Sequence, residues 1–542
     1  MSNSRRRRRG TGAMAGKDPA RRRGMSELDD VAELFTGREI VAEALPARVP
    51  MKPVVHVVHR AESNDFDFAA LHSKRASFPV GELSKKDPLD WARAFLLEQC
   101  SDGQRLIAFW QRKWWVWREY WRETSIEAVR GMVFAFFDGK TVSNWDADKP
   151  EITIKRMKPD SSMVSQTIDA LTAFCMIADD VAPFTWQASG LDPDFLLPVQ
   201  NGILNLLTGQ LIPHTPEFMA TGVADWEWTG AAPDPARFMG FVRSLWPSDR
   251  GEVALLQEVM GWLLSGDTTL QKIPFLKGPP RAGKGTLIRL LQNLLGDQRY
   301  VPVNAYAFGS EFGFSETIGK RLAISGDLRL GAKTDAAAIE ERLLQVSGGD
   351  TIRVGRKYGA DWRGAATARI LISANDIPKL PDASGALANR YVPLDFRVQF
   401  LGKEDTRLDS DLRAEAEGIA AWALAGLRRL MTRGRFELPV SSQALIDRAQ
   451  NLGSPVRQFA MECCRLHAEL RTPVDEIYRA YTEWCTESGN RPLAKNSFGE
   501  NLQSAYPALR TGRMPGGRGE KRPTAYLGIG LSFHGSNPDT AS

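Results

Sequence analysis

The pattern of apolar and polar positions is most regular in the middle of the chain. A short apolar run at residues 272–277 leads into a glycine-rich stretch, which predicts a buried strand followed by a tight loop. Beyond the loop, apolar side chains recur at helical spacing, at Leu287, Leu290, Leu291, Leu294 and Leu295. Gly296 supplies a C-terminal stop for this helix. The pattern therefore predicts a strand, a loop and a helix in direct succession.

Further elements are predicted on both sides of this unit. Residues 234–266 carry apolar side chains at helical spacing and predict a helical lead-in. Apolar runs at 320–327, 368–375 and 391–396 predict three more strands. Between the first two of these strands, residues 348–359 alternate behind a Gly-Gly-Asp break and predict a projecting hairpin.

The glycine-rich loop has the sequence of a phosphate-binding motif. Its residues are Gly278, Pro279, Pro280, Arg281, Ala282, Gly283, Lys284, Gly285 and Thr286. In a Gly-x4-Gly-Lys core, backbone N–H groups can face phosphate oxygens, the lysine reaches the β and γ phosphates, and the following helix aims its positive end at the nucleotide. We therefore predict that residues 278–286 bind a nucleotide. Gly285 stands where the usual motif has a Ser or Thr that ligates Mg²⁺, and whether Thr286 ligates the ion instead stays open.

Three polar residues lie at the ends of the predicted strands. Asp327 follows the first, and a phosphate-loop enzyme needs such a carboxylate to hold Mg²⁺ and orient the attacking water. Asn375 ends the second strand and could contact the γ-phosphate or the water. Arg390 precedes the third and could stabilise charge on the phosphoryl group of a neighbouring subunit. The plain alternatives are a common strand-end acid, a turn-forming Asn and a surface arginine in a salt bridge.

The tip of the predicted hairpin is basic and aromatic, with Arg356, Lys357 and Tyr358 between glycines. Lys357 suits a nucleic-acid phosphate, and Tyr358 suits a base or a sugar. A plain surface hairpin is the alternative.

The C-terminal part predicts a second contact with nucleic acid. Helical runs at 456–470, 474–488 and 495–502 precede a Gly-rich basic segment and a strand at 525–531. Three helices followed by a basic hairpin are typical of a winged helix, with a solvated loop as the alternative. The cations expected to meet phosphates, with weak sequence preference, are Arg513, Arg518, Lys521 and Arg522.

Composition changes the picture mainly at the N-terminus. Residues 1–24 carry eight Arg, one Lys and one Asp, or +8, which leaves about −3 of the net +5 for the rest. Such a tail is predicted to be disordered, and nucleic-acid affinity elsewhere must come from local patches.

Five cysteines without metal-ligand spacing argue against zinc and a disulfide framework. No apolar run reaches the roughly 18 residues that span a bilayer, so we expect no membrane association.

Residues 105–122 interleave tryptophans with cations. The tryptophans are Trp110, Trp114, Trp115, Trp117 and Trp121. They could stack single-stranded bases, but the core of a small mixed domain is the favoured interpretation. Further upstream, Asp65-Phe66-Asp67 resembles the metal-binding carboxylates of a primase, yet too little chain surrounds it and a solvated loop is favoured. Residues 200–211 carry two short apolar runs around Thr208-Gly209 and predict a hairpin.

These motifs, in this order and spacing, resemble the A, B, B′ and C motifs and the arginine finger of a superfamily 3 helicase. The resemblance is to the phage and plasmid primase-helicase family and to the similar poxvirus helicase-primase. It includes Asn201-Gly202 and Thr208-Gly209 and covers roughly residues 90–535. It implies an α/β fold: an AAA+-type ATPase core, a mixed α+β N-terminal domain and a C-terminal winged helix. It also implies a hexameric ring that hydrolyses ATP between subunits and moves 3′ to 5′ along one strand.

The same resemblance assigns roles to individual residues. It implies Lys284 on the phosphates, Asp327 on Mg²⁺ and water, Asn375 in the sensor position and Arg390 as the finger, with ATP and Mg²⁺ as cofactors. It also implies that the hairpin tip lines the pore of the ring. The chain departs from the pattern of this family at two points. Gly285 stands in place of a hydroxyl residue, and Asp327 is a single acid where many relatives have two.

We therefore predict an ATP-dependent DNA helicase of phage, prophage or plasmid replication, without a primase domain of its own. Its expected partners are single-stranded and forked DNA, further copies of itself and a separate primase or polymerase, in the cytoplasm of a bacterial host cell. A non-catalytic ATP-binding initiator or loader is the first alternative, and a nucleotide kinase is the second. The predicted division is a tail (1–24), a linker (25–88), a pre-helicase domain (89–235), an ATPase domain (236–400), a helical lid or connector (401–450), a winged helix (451–535) and a second tail (536–542).

Overall fold

The structure, a computed structural model, describes most of the chain from residue 83 onward. The described residues are 83–84, 86–99, 104–146, 149–178, 181–187, 190–310, 313–326, 328, 335–355, 361–378, 380, 382, 384–515 and 522–532. The basic tail at 1–24 and Asp65-Phe66-Asp67 lie outside them. No helix in these ranges combines the length and the apolarity that crossing a bilayer needs.

The N-terminal part of the described chain is a mixed α+β unit. Its elements are α1 (Pro88–Gln99), β1 (Ile107–Trp110), β2 (Lys113–Arg118), β3 (Tyr120–Thr124), α2 (Ile126–Phe137), β4 (Thr141–Asp146), β5 (Lys149–Arg156), α3 (Ser161–Cys175), β6 (Leu196–Val199), β7 (Gly202–Asn205) and β8 (Leu211–Ile212). The strands form three small antiparallel sheets, β1-β2-β3, β4-β5 and β6-β7-β8.

Two predictions for this unit are confirmed. The hairpin predicted at 200–211 is the β7-β8 pair, which turns through Thr208-Gly209. Trp110, Trp114 and Trp121 are buried, so they serve as core residues as favoured above. The Trp121 indole N–H also donates to the carbonyl of Pro216 at 3.0 Å, which satisfies its polar edge inside the core.

The central part is built on a five-stranded parallel sheet. Its elements are α4 (Ala236–Leu245), α5 (Arg250–Leu264), β9 (Ile273–Lys277), α6 (Lys284–Leu295), β10 (Tyr300–Pro302), α7 (Ala305–Gly309), β11 (Leu322–Ser325), α8 (Ala336–Gly348), β12 (Thr351–Val354), β13 (Trp362–Ala365), β14 (Arg369–Ala374), β15 (Tyr391–Asp395), α9 (Leu408–Ala414), α10 (Ala416–Arg433) and α11 (Val440–Gly453). The sheet order is β10-β11-β14-β9-β15, with every pair parallel. The predicted strands and the helical lead-in are thereby confirmed, the lead-in as two helices.

Both faces of the sheet are covered by helices, which explains why the middle of each strand is mostly apolar. On one face, Leu276, Ile324 and Leu371 pack in a core with α4, α5, α6 and α10. On the other face, Phe275 and Ile372 pack in a core with α8 and α11. The helix α10 is tied to α5, because Gln257 donates to the Trp422 carbonyl at 2.9 Å and Arg429 pairs with Glu258 at 2.8 Å. The predicted connector therefore contributes to the central core.

Buried arginines join the N-terminal unit to the amino ends of the sheet strands. Arg321, just before β11, pairs with Asp194. Arg369, the first residue of β14, donates to carbonyls at the end of α5, and burial lowers its pKa to about 9. Arg299 lies over the Phe184 ring at 4.5 Å, and burial lowers its pKa as well. The contacts of Arg321 and Arg299 fix the sheet against the N-terminal unit, whereas those of Arg369 hold the end of α5 on the sheet.

The C-terminal part contains three helices and a three-stranded sheet. Its elements are α12 (Pro455–Cys463), β16 (Cys464–Pro473), α13 (Val474–Glu487), α14 (Lys495–Ala505), β17 (Arg510–Arg513) and β18 (Thr524–Leu531). The sheet order is β16-β18-β17, and both pairs are antiparallel.

The helix predicted at 456–470 is wrong in its second half. The helix ends at Cys463, and β16 follows at once. From Arg465 to Leu470 polar and apolar residues alternate, which is the period of a strand, and β18 supplies the backbone partner. The helices predicted at 474–488 and 495–502 and the strand at 525–531 are confirmed.

Candidate nucleotide-binding site

The phosphate loop connects the carboxyl end of β9 to the N-terminus of α6. Gly283 is the N-cap of α6 and has φ +88°, a conformation that side chains with a Cβ rarely adopt. A Cβ on Gly278 would lie less than 3.0 Å from the carbonyl oxygen of Phe396, so this position is also closed to larger residues. Both glycines of the motif are therefore required by the path of the backbone.

Lys284 is the first residue of α6, and its ammonium group lies inside the loop. The side chain is 9% exposed. Nζ donates to the carbonyls of Gly278 and Pro279, the latter at 2.8 Å, and to Oδ1 of Asn375 at 3.2 Å. Two of the predicted site residues, Lys284 and Asn375, are thus in direct contact.

Sheet pairing explains the contact between Lys284 and Asn375. Ala374, the last residue of β14, pairs with Lys277, the last residue of β9, and the Gly278 N–H donates to the Ala374 carbonyl at 3.2 Å. The two strands therefore end side by side, and the residue after each faces the same edge. Asn375 is exposed at this edge, where a ligand can reach it.

Several predicted residues lie outside the described part of the chain. They are Asp327, Arg356, Lys357, Tyr358, Arg518 and Lys521. Their neighbours are described: β11 ends at Ser325, whose buried hydroxyl has no hydrogen-bond partner in the described ranges. The predicted hairpin is confirmed as the antiparallel pair β12-β13, which closes around its undescribed tip.

Arg390 lies at the other end of the sheet from Lys284. It precedes β15, and Tyr391 pairs with Ile273 at the amino end of β9. Five residues of strand separate the two ends, or about 13 Å. Arg390 Nη1 donates to the Leu344 carbonyl and to Ser347 Oγ, the latter at 2.8 Å, near the end of α8. The fold does not bring Arg390 to the phosphate loop of its own chain.

A buried carboxylate below the loop was missed by the sequence analysis. Asp395, the last residue of β15, is 7% exposed. Its carboxylate accepts from Lys277 Nζ at 3.2 Å and from Arg397 Nε at 2.6 Å. Hydrogen bonding to Asp395 is the main cause that raises the pKa of Arg397. The sequence does place an acidic residue, Asp395, at the end of a predicted strand. Only the pairing of β15 with β9 brings Lys277 to this carboxylate.

The segment after β15 passes over the phosphate loop. Gln399 donates to the Pro280 carbonyl at 3.1 Å, and the Phe400 N–H donates to the Arg281 carbonyl at 2.9 Å. These bonds hold two loop carbonyls and fix the loop against the segment that follows β15. Arg281 has φ +60°, an uncommon conformation for a residue with a Cβ.

The predicted metal ligand Thr286 lies in the first turn of α6. Its hydroxyl accepts from Arg289 Nη2 at 3.3 Å, and a hydroxyl oxygen keeps a second lone pair. Thr286 therefore fits a Mg²⁺ ligand by its chemistry, whereas Gly285 has no side chain to offer. Mg²⁺ prefers oxygen ligands and retains waters beside one or two carboxylates and substrate phosphates.

The two described cations of the predicted wing flank its turn. Arg513 ends β17 opposite Thr524, and Arg522 lies just before β18. Both side chains are exposed. The strand pairing therefore places them at the open end of one hairpin.

A glycine-rich loop at the carboxyl edge of a helix-covered parallel sheet defines the class: this is an α/β protein with a candidate phosphate-binding loop. Residues 102–247 match the family described as D5 N terminal like, and residues 454–516 match the family described as Poxvirus D5 protein-like. Residues 276–390, which hold the phosphate loop, match a family of unknown function, DUF5906. The predicted resemblance is confirmed: these matches support a phage and viral superfamily 3 primase-helicase-like protein. These domains support a replication helicase-like role.

Two solved structures resemble the chain weakly. The A form of the apo NrS-1 C-terminal region is 11% identical and has a TM-score of 0.47, with 82% of this chain and 100% of that chain covered. A JCV helicase with a bound acetamide compound is 15% identical and has a TM-score of 0.27, with 48% and 66% covered. With TM-scores below 0.5, neither likeness bears on the function of this chain. No curated protein matches the chain.

Proposed function

We propose that this chain is a ring-forming, ATP-dependent DNA helicase that moves 3′ to 5′ and unwinds forked DNA in phage, prophage or plasmid replication. The contact between Lys284 and Asn375 inside the phosphate loop carries the proposal. A lysine held by loop carbonyls and a strand-end amide is ready to exchange these acceptors for phosphate oxygens. The helix-covered parallel sheet supports an AAA+-type core.

In this proposal residues 278–286 bind ATP, and the loop N–H groups and Lys284 hold its phosphates. Thr286 and Asp327 would hold Mg²⁺, which would supply positive charge beside the phosphates. Asp327 orients the attacking water, and Asn375 contacts the γ-phosphate. The Asp395 carboxylate stabilises the ammonium of Lys277 directly before the loop.

Arg390 acts on the site of a neighbouring subunit. Its position at the amino end of β15 and its bonds to the end of α8 keep it away from its own phosphate loop. A finger supplied across a subunit boundary needs this separation. The proposal therefore includes a homo-hexameric ring, in which ATP is bound between subunits.

DNA is contacted at two places. Arg356, Lys357 and Tyr358 at the tip of the β12-β13 hairpin bind the strand in the pore. The C-terminal part is a winged helix, supported by three helices and the antiparallel β17-β18 pair, with Arg513, Arg518, Lys521 and Arg522 on the wing. A separate primase or polymerase completes the replication system in the bacterial cytoplasm.

The experiment is ATP hydrolysis by the full chain with and without single-stranded DNA, followed by unwinding of a tailed duplex. DNA-stimulated turnover is expected in the wild type and should be lost in Lys284→Ala. Lys277→Ala is a matched lysine control outside the motif and should retain part of the activity. In mixed rings, Arg390→Ala subunits keep an intact phosphate loop and Lys284→Ala subunits keep an intact arginine finger. Such rings should hydrolyse ATP at the subunit boundaries where an intact loop meets an intact finger. No turnover under any condition would contradict the proposal.

Gly285 favours a second candidate, a non-catalytic ATP-binding initiator or loader, because a phosphate loop without the usual hydroxyl can bind a nucleotide and hydrolyse it poorly. DNA binding that requires ATP but not its hydrolysis would support this candidate. Phosphoryl transfer to a nucleoside monophosphate would instead indicate a kinase.

A further inference from the structure

The position where a side chain of residue 285 would begin is bordered by another residue. A Cβ built on Gly285 would meet one described atom within 4 Å, Nη1 of Arg289 at 3.3 Å. Arg289 lies four residues further along α6, on the same helix face. Side chains of a helix lean toward its N-terminus, so the guanidinium of Arg289 returns over the first turn, beside the phosphate loop.

The guanidinium is oriented by a carboxylate from another helix. Asp409, in the first turn of α9, accepts from Arg289 Nε at 2.7 Å and from Nη2 at 3.2 Å. Nη2 also donates to Thr286 Oγ1 at 3.3 Å. Nη1, the nitrogen at Gly285, makes no hydrogen bond to the part of the chain that the structure describes. The hydrogen bonds to Asp409 and Thr286 use Nε and Nη2 of Arg289. They leave Nη1 available to a ligand beside the phosphate loop.

We propose that Arg289 is a nucleotide-binding residue that donates from Nη1 to a phosphate oxygen, at the place where the usual motif has its Mg²⁺-ligating hydroxyl. The inference rests on the proposed function, since it concerns how the same loop holds ATP. Guanidinium groups bind phosphate through charge-assisted hydrogen bonds and keep their charge at all accessible pH values. Part of the positive charge that Mg²⁺ usually supplies is therefore built into the protein.

The consequence is a weaker dependence of nucleotide affinity on Mg²⁺. Without the ion, the wild type still offers the cations of Lys284 and Arg289 to the phosphates, whereas Arg289→Ala offers one. Gly285→Ser should also increase the dependence of nucleotide affinity on Mg²⁺, because its Cβ would press on the flexible end of Arg289 and its hydroxyl restores the usual metal ligand.

The test is calorimetric binding of a non-hydrolysable ATP analogue to the full chain, with Mg²⁺ and with EDTA. Arg289→Ala should raise the Kd in EDTA by roughly tenfold, the size expected for one charge-assisted hydrogen bond, and by clearly less with Mg²⁺. The double variant Gly285→Ser with Arg289→Ala should bind tightly only with Mg²⁺. An equal loss for Arg289→Ala in both conditions, or no loss, would overturn the inference.

Arg237→Ala is the matched control. Arg237 also pairs with the region of α9, through Asp405 and Asp411, the latter at 3.1 Å, and no contact links it to the loop. The side chains of Arg237 and Arg289 are 45% and 57% exposed, so the two ion pairs are similar in kind. Arg237→Ala should leave both Kd values unchanged, and the same loss in this variant would mean that Arg289 acts only by holding α9. Wild-type binding that is absent, or that persists in Lys284→Ala, would instead refute the proposed function.

Discussion

Glu252, in the first turn of α5, should make the stability of the central part depend on pH. Its side chain is 1% exposed, and Oε1 accepts from Ser441 Oγ at 2.6 Å, while Oε2 has no partner in the described ranges. Burial, together with the charges of Asp249 and Asp395, raises the pKa of this carboxyl from 4.5 to about 7. The folded protein therefore holds a proton that the unfolded chain releases.

The sign and size follow from this difference in pKa. Below pH 4.5 both states are protonated at Glu252, and the group does not affect stability. Between pH 4.5 and about 7 the unfolded chain binds fewer protons, so the free energy of unfolding falls as the pH rises. The full loss is roughly 3 kcal/mol, which corresponds to about 5–10 °C in Tm for a domain of this size. Above pH 7 the contribution of Glu252 stays constant.

Differential scanning calorimetry between pH 5 and pH 8 tests this prediction. Glu252→Gln keeps an acceptor for Ser441 but cannot ionise. Between pH 5 and pH 8 the Tm of this variant should therefore fall less than the Tm of the wild type, and at pH 8 it should be the higher of the two. Glu437→Gln is the control, because this carboxylate is 81% exposed and removing it should leave the pH dependence unchanged. Parallel Tm profiles for the wild type and Glu252→Gln would refute the reasoning.

Three further variants test other parts of the structure. Gly278→Ala should abolish nucleotide binding with a small change in Tm, because its Cβ would meet the Phe396 carbonyl and shift the loop; calorimetric titration with ATP measures it. Arg369→Met should lower the Tm by several degrees, because the buried carbonyls of Leu263 and Ser265 lose a donor at a cost of about 1–3 kcal/mol each. Arg513→Ala should weaken DNA binding for all sequences and reduce the salt dependence by about one phosphate contact, measured by fluorescence anisotropy at several salt concentrations.

Each of these variants has a control and a contradicting result. Gly240→Ala adds a Cβ to α4 with no atom within 4 Å and should keep ATP binding; loss of binding in both glycine variants would mean a general effect on folding. Arg363→Ala, on an exposed strand residue, should leave the Tm unchanged, and an unchanged Tm for Arg369→Met would contradict its role in holding the end of α5 on the sheet. An unaltered salt slope for Arg513→Ala would remove this residue from the DNA-binding surface.

The elements near the nucleotide site could be predicted because their signals are local. Residues 273–276 before the loop are all apolar, since β9 is buried on both faces, and the leucines of α6 repeat at the helical period. The hairpin at β12-β13 follows from alternation behind two glycines. The strand β16 was missed because α12 runs into it without a break, so one helical segment was extended across the junction. The alternation of polar and apolar residues from Arg465 was a weaker signal than the helical spacing before it.

What the sequence by itself determined is the chemistry within short windows: the loop that can hold phosphate, the strands around it and the order of the motifs. Only the tertiary structure decided which distant residues meet. Strand pairing places Asn375 on Lys284 and Asp395 on Lys277, while helix packing sets Asp409 against Arg289. The reason is that periodicity reports how a segment meets solvent or core, whereas contacts between segments depend on strand order and helix packing.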